Sequence, residues 1–340
     1  MVRDVMTQHA DRLPRLLELR HLKLWLPGRD GMVPIITDVS FASSEGEAVG
    51  LVGESGSGKS MTARAIARLL PHGAKLGGDV LFRGRAVTEL AGRELLAWRQ
   101  SEVQIIFQDP RAHMNPVRKV GDFLREALCG TQGMGRAEAD RVSLSLLERV
   151  RVSNARARLD QYPHELSGGL LQRVMIAAAL AASPRLLIAD EPTTALDVTT
   201  QAEVIAILDE LQREQQMSLL FITHDLELAA AFCDRTVVMY AGMIVEDQLS
   251  LRLHEHPLQP YTRALFGSRP NLDGDVLRLE AIPGRPVAAS EVLTGCPFAS
   301  RCSDYRPQCS SQRPALRPFA GGKVACIRAE EIHGVPANAP

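Results

Sequence analysis

The stretch of sequence that decides the fold is Gly53-Glu54-Ser55-Gly56-Ser57-Gly58-Lys59-Ser60. It follows Ala48–Val52 (AVGLV), a short apolar run that is typical of a strand buried on both faces. It precedes MTARAIARLL (residues 61–70), whose composition and apolar spacing predict a helix that ends at Pro71. A strand, a glycine-rich loop and a helix in this order begin a βαβ unit, so the sequence predicts an α/β fold.

The glycine-rich loop fits the pattern G-x-x-x-x-G-K-[ST], which binds nucleotide phosphates. Its glycines allow backbone N–H groups to turn toward the phosphates, and the helix N-terminus adds partial positive charge. Lys59 would reach the terminal phosphates, and the Ser60 hydroxyl would ligate Mg²⁺. The alternative is a flexible Gly/Ser-rich loop without a ligand. We reject it because the motif lies between a buried strand and a helix, where its mechanism needs it.

Composition limits the classes to which the protein can belong. The chain has 340 residues, 45% of them apolar, which suits about two structural units with a sizeable core and excludes a disordered chain. Its formal net charge of −1 gives no reason to expect a polyanion or an anionic lipid as the main partner. The longest apolar run, Val174–Ala182, is about half of the roughly 20 residues that span a bilayer. Residues 1–16 lack the apolar core of a secretion signal, so we predict a cytosolic chain without a transmembrane helix.

The rest of the sequence alternates between strand and helix patterns. Strands are predicted at residues 17–26, 35–41, 48–52, 79–84, 103–107, 186–189 and 218–223, with a terminal hairpin at 235–247. Helices are predicted at residues 89–100, 174–182 and 200–215, and much of 120–160. This alternation predicts a parallel sheet covered on both faces, and the middle section is a candidate helical subdomain.

Three polar residues follow buried strands and are candidates for catalysis. Asp190 and Glu191 come directly after Leu186–Ala189, and His224 follows the apolar run SLLFIT (218–223). Beside a phosphate loop, Asp190 is the candidate Mg²⁺ ligand and Glu191 the candidate general base for hydrolysis. His224 is a candidate γ-phosphate contact, because open α/β sheets present functional groups at the carboxyl ends of their strands. The alternatives are two solvated acids and a core or capping histidine.

At this point the sequence resembles the ATP-binding subunits of ABC transporters. Three further elements of that family occur in its order: Gln108 in IIFQDP, the signature LSGGLLQR (Leu166–Arg173) and ALD (Ala195–Asp197). His224 corresponds to the family's switch histidine. The resemblance covers residues 16–250 and implies a P-loop NTPase cassette with a RecA-like parallel sheet core, an antiparallel β subdomain and a helical subdomain at about residues 110–170.

The resemblance also implies a mechanism that one chain cannot complete. In the family, two cassettes sandwich two ATP molecules head to tail, so Ser167, Gly168 and Gly169 would contact ATP held by a partner cassette. Asp197 is also assigned to the nucleotide-binding residues. Gln108 would sense the γ-phosphate and Mg²⁺. Taken alone, Ser-Gly-Gly before a helix is more often a cap and turn.

One position departs from the family pattern. The family usually stacks adenine on an aromatic residue at the end of the first strand, where this sequence has Leu26 with Trp25 beside it. Trp25 either replaces that aromatic contact or belongs to the core.

The C-terminal part narrows the resemblance to one group of importers. His256–Leu265 (HPLQPYTRAL) is similar to the H-P-x-H-P-Y-T-x-x-L stretch of importers of dipeptides, oligopeptides and, in some members, nickel, with Gln259 in place of the usual His. Four cysteines follow, as in that group: Cys296, Cys302, Cys309 and Cys326. Their intervening gaps of five, six and sixteen residues match neither the knuckle of structural zinc nor the tight ferredoxin spacing.

These four cysteines have three interpretations. In a reducing cytosol they could ligate a [4Fe–4S] cluster, ligate Zn²⁺, or remain reduced and buried. The resemblance favours the cluster, because members of the peptide-importer group are known to carry one here. The cluster would cross-link a C-terminal module that lacks an obvious hydrophobic core. Cys129 and Cys233 are interpreted as ordinary small apolar residues.

The sequence is thus divided into an N-terminal extension (1–15), an ABC ATPase domain (16–250), a C-terminal domain with the four cysteines (251–330) and a tail (331–340). The resemblance implies an ATPase that powers import of di- or oligopeptides or a related small solute. Its partners would be a second ABC ATPase subunit, either a paralogue or a copy, two permease subunits and, through the complex, an extracytoplasmic solute-binding protein. The chain would lie peripherally on the cytoplasmic face of the inner membrane and would not bind nucleic acid. The alternatives are a non-transport ABC ATPase acting on nucleic acid or the ribosome, and a metal- or redox-regulated ATP switch.

Overall fold

The computed structural model describes residues 14–194, 196–268, 281–292 and 294–334. Most of the predicted N-terminal extension, Ala195 of the ALD motif, parts of the predicted C-terminal domain and the end of the tail lie outside these ranges. Within the described ranges, no helix is both long enough and apolar enough to cross a bilayer.

The helices and strands follow in chain order: β1 (Arg15–Gly28), β2 (Gly31–Ser44), β3 (Ala48–Val52), α1 (Lys59–Ile66), β4 (Lys75–Phe82), β5 (Arg85–Ala86), α2 (Gly92–Ser101), β6 (Val103–Ile106), α3 (Pro110–His113), α4 (Val120–Gln132), α5 (Arg136–Arg149), α6 (Ala155–Arg158), α7 (Gly168–Ala181), β7 (Leu186–Asp190), α8 (Val198–Gln215), β8 (Ser218–Thr223), α9 (Leu226–Phe232), β9 (Arg235–Tyr240), β10 (Met243–Leu249), α10 (Ser250–Glu255), α11 (Pro260–Gly267), α12 (Gln308–Ser311), β11 (Arg317–Phe319), β12 (Gly322–Val324) and α13 (Ala329–His333). Short 3₁₀ turns occur at Val87–Glu89, Pro163–Glu165 and Ala299–Arg301.

The chain divides into two compact units that are interleaved in sequence. The first unit contains residues 14–16, 43–48 and 89–222, and the second contains residues 17–42 and 49–88 and the described residues from Thr223 onward. The phosphate loop and the C-terminal cysteines therefore belong to the same unit, although more than 200 residues separate them in sequence.

In the first unit, three parallel strands form the sheet around β7, which ends at Asp190 directly before Glu191. Strand β7 lies between β6 and β8, with Ile106 opposite Ala189 and Ala189 opposite Phe221. Every residue of β7 is buried, which is the pattern expected of a strand covered on both faces. The helices predicted between residues 120 and 160 are present as α4, α5 and α6, and α4 and α5 both pack on α7.

The second unit has a mixed sheet in the order β5-β4-β1-β2-β10-β9-β3. Strand β3 runs parallel to β9, whereas β1 and β4, and β9 and β10, pair antiparallel. Strand β12 adds to β10, with Val324 opposite Glu246, and β11 pairs with β12. The prediction of an α/β fold with a parallel part and an antiparallel part is confirmed.

Two sequence predictions about this unit are wrong in detail. The helix predicted at residues 61–70 begins at Lys59 and ends at Ile66. Arg68 has a φ of 57°, outside the helical region, and its guanidinium donates to the carbonyl oxygens of Val87 (2.8 Å) and Thr88 (2.5 Å). These contacts hold Arg68 outside the helix and account for its early end.

The second error concerns the C-terminal segment, which was expected to lack an obvious core. Tyr261, Phe298 and Ala325 from this segment are fully buried with Tyr240 and Val245 of β9 and β10 in one apolar cluster. The segment uses the strands of the second unit as its core, which no periodicity within residues 251–330 could reveal.

Candidate functional site

The phosphate loop is held tightly against β9 in the second unit. Gly56 and Gly58 have φ values of 80° and 107°, which side chains other than glycine rarely adopt. A Cβ on Gly53 would lie 2.1 Å from the carbonyl oxygen of Met239, so this position also requires glycine. The loop is therefore shaped by steric limits as well as by its motif.

The polar groups of the loop converge on its interior. Lys59 is only 4% exposed, and its Nζ donates to the carbonyl oxygens of Gly53 (2.8 Å) and Glu54 (3.1 Å). The Ser57 hydroxyl is buried and has no hydrogen-bond partner in the described part of the chain. Ser60 lies in the first turn of α1 and is half-buried. A buried ammonium and an unsatisfied hydroxyl at a helix N-terminus suit a phosphate ligand.

Glu54 has partners that the sequence analysis did not foresee. Its backbone N–H donates to the Tyr261 hydroxyl at 2.9 Å, and its carboxylate accepts two hydrogen bonds from Arg301, at 2.7 and 3.1 Å. Both partners come from the C-terminal segment of the same unit. Glu54 stays a predicted nucleotide contact, and in the structure its N–H and its carboxylate bind this segment.

The other predicted nucleotide residues of the second unit lie near its surface. Trp25 in β1 is half-buried, and its ring lies against Gly77 of β4, where an added Cβ would be 3.3 Å from Cζ3. His224 is exposed and follows the end of β8 directly. The next residue, Asp225, caps α9 by accepting from the Leu228 N–H at 2.9 Å.

In the first unit, Glu191 has a strained backbone and two side-chain partners. Its φ of 47° lies in the left-handed region, which costs energy for a residue with a side chain and is found preferentially at functional sites. The carboxylate accepts from Gln108 Nε2 (3.2 Å) and from the Thr194 hydroxyl (2.8 Å). The Glu191 N–H also donates to the carbonyl oxygen of Ile222 at 2.9 Å. Two predicted catalytic residues, Gln108 and Glu191, are thus in direct contact.

Asp190, the predicted Mg²⁺ ligand, is the last residue of β7 and is 4% exposed. A buried carboxylate, the amide oxygen of Gln108 and the hydroxyl of Ser60 are the hard oxygen donors that Mg²⁺ prefers. The chemistry of this predicted donor set therefore fits the ion.

The signature residues lie at the beginning of α7. Ser167 is exposed and caps the helix, accepting from the Leu170 N–H at 3.4 Å. Gly168 is the first residue of the helix, and a Cβ on Gly169 would lie 2.5 Å from Cγ2 of Thr200 in α8. Close packing of α7 on α8 therefore explains why Gly169 carries no side chain.

Asp197 caps the neighbouring helix α8. Its carboxylate accepts from the N–H of Thr200 (3.0 Å) and from the hydroxyl of Thr200 (2.7 Å). These two hydrogen bonds hold the pKa of Asp197 below its ordinary value, and the bond from the backbone N–H has the larger effect. Asp197 and Ser167 are both exposed caps, so each combines the predicted binding role with a local structural one.

The four C-terminal cysteines line one cavity of about 20 Å³ in the second unit. All are free thiols. Burial raises the pKa of Cys296 to about 12 and that of Cys302 to about 11, and it also raises the pKa of Cys326. In the described residues, however, no three His, Cys, Asp or Glu side chains lie close enough together to hold a metal ion. Thiols are the soft donors that iron–sulfur clusters and Zn²⁺ prefer, but in this structure the four lie around one cavity without forming a metal site.

Sequence reasoning missed three residues of these sites: Thr194, Tyr261 and Arg301. Tyr261 stands within the quoted stretch HPLQPYTRAL and Arg301 directly precedes Cys302, but their contacts with the phosphate loop span more than 200 residues. Thr194 lies three residues after Glu191, and that short spacing could have indicated a hydrogen bond.

Two family models match this chain. The model described as "ABC transporter" matches residues 36–194, and the one described as "Oligopeptide/dipeptide transporter, C-terminal region" matches residues 245–309. The second match includes Tyr261, Arg301 and three of the four cysteines.

Relatives extend the match to nearly the whole chain. The oligopeptide transport ATP-binding protein OppD of Salmonella typhimurium is 43% identical over 96% of this chain and 98% of its own length. OppD of Escherichia coli is 42% identical over 95% of each chain. Among solved structures, the dimeric, ADP- and Pi-bound ATP-binding cassette MJ0796 has a TM-score of 0.63 at 26% identity, covering 69% of this chain and 99% of its own.

Proposed function

The chain belongs to the ATP-binding subunits of ABC-type oligopeptide transporters, and from this premise we propose that it hydrolyses ATP to power a peptide importer. The observation that carries the proposal is the presence of both family regions in one chain, because hydrolysis alone would not require the oligopeptide-specific C-terminal region. The cassette fold predicted from the sequence agrees with this membership.

The residues of the phosphate loop bind the phosphates of ATP. The buried Lys59 ammonium and the backbone N–H groups around Gly56–Lys59 compensate the phosphate charge. Mg²⁺ would neutralise further charge on the phosphates, with Ser60, Gln108 and Asp190 as its proposed ligands. Trp25 is the proposed adenine contact.

The residues around Glu191 perform the hydrolysis. The Glu191 carboxylate accepts a proton from the attacking water, while Gln108 and Thr194 hold it in position through their hydrogen bonds. His224 contacts the γ-phosphate. Because the carboxylate is already fixed by two donors, little side-chain entropy is lost when the water is positioned.

The exposed caps of α7 and α8 point to a second cassette as partner. Ser167, Gly168, Gly169 and Asp197 contact ATP bound to that cassette, which is a paralogue or a second copy. The cassette MJ0796, to which this chain is similar, forms a dimer. Closure of the two cassettes would exclude water from the nucleotide, and hydrolysis would reopen them. ATP hydrolysis would thus change the distance between the two cassettes.

Two permease subunits and an extracytoplasmic solute-binding protein complete the proposed transporter. The chain would act peripherally at the cytoplasmic face of the inner membrane, where the helical subdomain at about residues 110–170 contacts the permeases. The ATPase domain is assigned to residues 16–250 and the oligopeptide-importer domain to 251–330.

Mutation of Glu191 tests the hydrolytic mechanism. Glu191→Gln should keep ATP binding and lower the ATPase rate by about 100-fold or more, because the general base is lost. Glu210→Gln is the control, because Glu210 in α8 is half-exposed and forms an ion pair with Arg151. Hydrolysis by Glu191→Gln within tenfold of wild type would contradict the mechanism. Failure of the wild-type chain to co-purify with any membrane protein would contradict the transport role and favour a non-transport ATPase.

We propose a [4Fe–4S] cluster at Cys296, Cys302, Cys309 and Cys326 on the grounds that the four thiols line one cavity. Anaerobically purified chain should contain about four iron and four sulfide per protein. Cys302→Ser should lower this content, whereas Cys233→Ser, which changes a buried cysteine outside the cavity, should not. If the purified chain contains zinc and no iron, the site is a Zn²⁺ site and not a cluster. If it contains neither metal, the four cysteines are simply reduced.

A further inference from the structure

Arg301 and Tyr261 reach the phosphate loop from the C-terminal segment, and the mechanism above uses neither residue. Both act on Glu54, the second residue of the loop. Arg301 binds the Glu54 carboxylate with two parallel hydrogen bonds, and the Tyr261 hydroxyl accepts the Glu54 N–H. The side chain and the backbone of Glu54 are thus held at the same time.

The Arg301 guanidinium is fixed independently of Glu54. It is 6% exposed, and its Nε donates to the carbonyl oxygen of Pro283 at 2.9 Å. A further N–H donates to the Tyr240 hydroxyl at 3.2 Å, and the guanidinium carbon lies 5.9 Å from the ring centres of both Tyr240 and Phe298. Because a planar guanidinium held on several sides cannot follow a moving partner, Arg301 determines where Glu54 lies.

Tyr261 is held with similar rigidity. It is fully buried, and its ring centre is 4.6 Å from that of Tyr240 and 5.3 Å from that of Phe298. Its N–H donates to the side-chain oxygen of Gln259. The Gln259 N–H in turn donates to the buried carboxylate of Glu246 in β10, at 2.9 Å. A chain of hydrogen bonds therefore connects the central strands of this unit to the phosphate loop.

Charge gives this contact a role in nucleotide binding. Glu54 places a carboxylate in a loop whose task is to bind a polyanion, and an uncompensated carboxylate there would repel the phosphates. The Arg301 guanidinium neutralises that carboxylate through a paired contact that is largely removed from water.

We propose that Arg301 and Tyr261 are positioning residues for ATP binding, acting through Glu54 on the shape and charge of the phosphate loop. ATP affinity then depends on the C-terminal segment, which gives the oligopeptide-specific region a direct influence on the ATPase cycle. The inference rests on the proposed function of the Gly53–Ser60 loop as an ATP site.

The test measures equilibrium binding of MgATP to the full-length chain. Arg301→Ala should weaken binding by about tenfold, because it leaves Glu54 charged and unpaired, and Tyr261→Phe should weaken it by about threefold, because only one neutral hydrogen bond is lost. Arg285→Ala is the matched control. Arg285 makes an equally bidentate pair with Glu291 in the same segment, at 3.0 and 2.5 Å, without contact to the phosphate loop, and its loss should change affinity by less than twofold.

A double-mutant cycle separates this role from a general loss of stability. Glu54→Gln removes the repelling charge, so Arg301→Ala should cost markedly less affinity in the Glu54→Gln background than in wild type. In the assembled transporter, Arg301→Ala should raise the KM for ATP with kcat within about twofold of wild type. Equal losses in both backgrounds, or affinity of Arg301→Ala within twofold of wild type, would overturn the inference.

Two further variants keep the result interpretable. If Arg301→Ala does not fold, Arg301→Gln retains most of the side-chain volume and must show the same rescue by Glu54→Gln. Lys59→Ala tests the premise separately. If the wild-type chain binds MgATP and Lys59→Ala does not, the proposed function is supported, whatever the result for Arg301. Wild-type chain that does not bind MgATP contradicts the function itself.

Discussion

The phosphate loop and the loop that carries Glu191 hold their functional residues over very different distances in sequence. Glu54 is bound by Tyr261 and Arg301, which lie 207 and 247 residues further along the chain. Glu191 is bound by Thr194, three residues further on, and by Gln108, 83 residues earlier in the chain. The first arrangement requires the C-terminal segment of the second unit, whereas the second lies within the first unit and includes one hydrogen bond that needs little more than one turn of the chain.

The signature and its neighbour follow the local arrangement. Ser167 and Asp197 each accept from an N–H three residues on, at the beginning of their own helices. Both residues are exposed. The predicted phosphate loop is thus held by long-range contacts, while Glu191, Ser167 and Asp197 each have a local hydrogen bond as well.

The largest effect should follow a change that breaks the long-range arrangement at Gly53. Gly53→Ala would place a Cβ 2.1 Å from the Met239 carbonyl oxygen, and backbone atoms cannot yield as a flexible side chain can. A loop displaced by about 1 Å should cost on the order of 100-fold in ATPase activity. The measurement is the ATPase rate together with MgATP affinity.

Gly130→Ala is the matched control for Gly53→Ala. Gly130 lies in α4 and an added Cβ meets nothing within 4 Å. Alanine should therefore leave activity unchanged and stabilise the helix by about 0.5–1 kcal/mol. Normal ATP affinity in Gly53→Ala would show that the loop is less constrained than the structure implies.

A smaller effect is expected where α7 packs on α8. Gly169→Ala should lower the free energy of unfolding by about 1–2 kcal/mol, because the new Cβ would meet Cγ2 of Thr200 at 2.5 Å. Adding Thr200→Ser removes that methyl group and keeps the hydroxyl that binds Asp197. Denaturant unfolding should show recovery in the double variant, and a lack of recovery would refute the steric explanation.

The local arrangement should be loosened by Thr194→Val, which removes the hydroxyl bound to Glu191 and keeps the side-chain shape. One hydrogen bond of about 1 kcal/mol corresponds to roughly a fivefold fall in kcat, with the KM for ATP unchanged because phosphate binding is not touched. Steady-state kinetics measures both. Thr199→Val changes another exposed threonine and should have no effect on kcat. A rise in KM in Thr194→Val would mean that Thr194 acts on binding instead.

The smallest effect concerns Glu246, which supports the segment leading to Tyr261. Its carboxylate accepts from the N–H groups of Leu258 (2.7 Å) and Gln259 (2.9 Å), but burial outweighs these bonds and raises its pKa. The stability that this group contributes is therefore complete below its unfolded pKa, near 4.5, and is lost as the pH rises through the higher folded value. Glu246→Gln resembles the protonated form. The difference in unfolding free energy between wild type and this variant should move in favour of the variant from about pH 4.5 upward. A pH-independent difference would contradict this.

The sequence predicted the type of loop in the first arrangement, but not the contacts that hold it. The motif at Gly53–Ser60 and the apolar strand before it were sufficient to predict the loop, its helix and the α/β fold. Nothing in the sequence indicated that Glu54 is held by Arg301, because no periodic pattern joins residues so far apart. The same reason explains why the C-terminal segment was expected to lack a core that in fact includes Tyr240 and Val245.

Local features were predicted more completely. The strand that ends at Asp190, directly before Glu191, was recognised from its apolar run, and the structure brings Gln108 and Glu191 into contact. The left-handed backbone of Glu191 could not be predicted, since glutamate rarely adopts it without support from the surrounding structure.

The bond between Glu54 and Arg301 has a consequence during synthesis of the protein. At roughly 5–20 residues per second, the ribosome needs on the order of 12–50 s to add the 247 residues that separate them. For that time the nascent chain carries a phosphate loop with an uncompensated carboxylate, and so a lowered capacity to hold ATP. On the inference above, full affinity requires the C-terminal segment, so an incomplete translation product competes less well for nucleotide than the finished subunit.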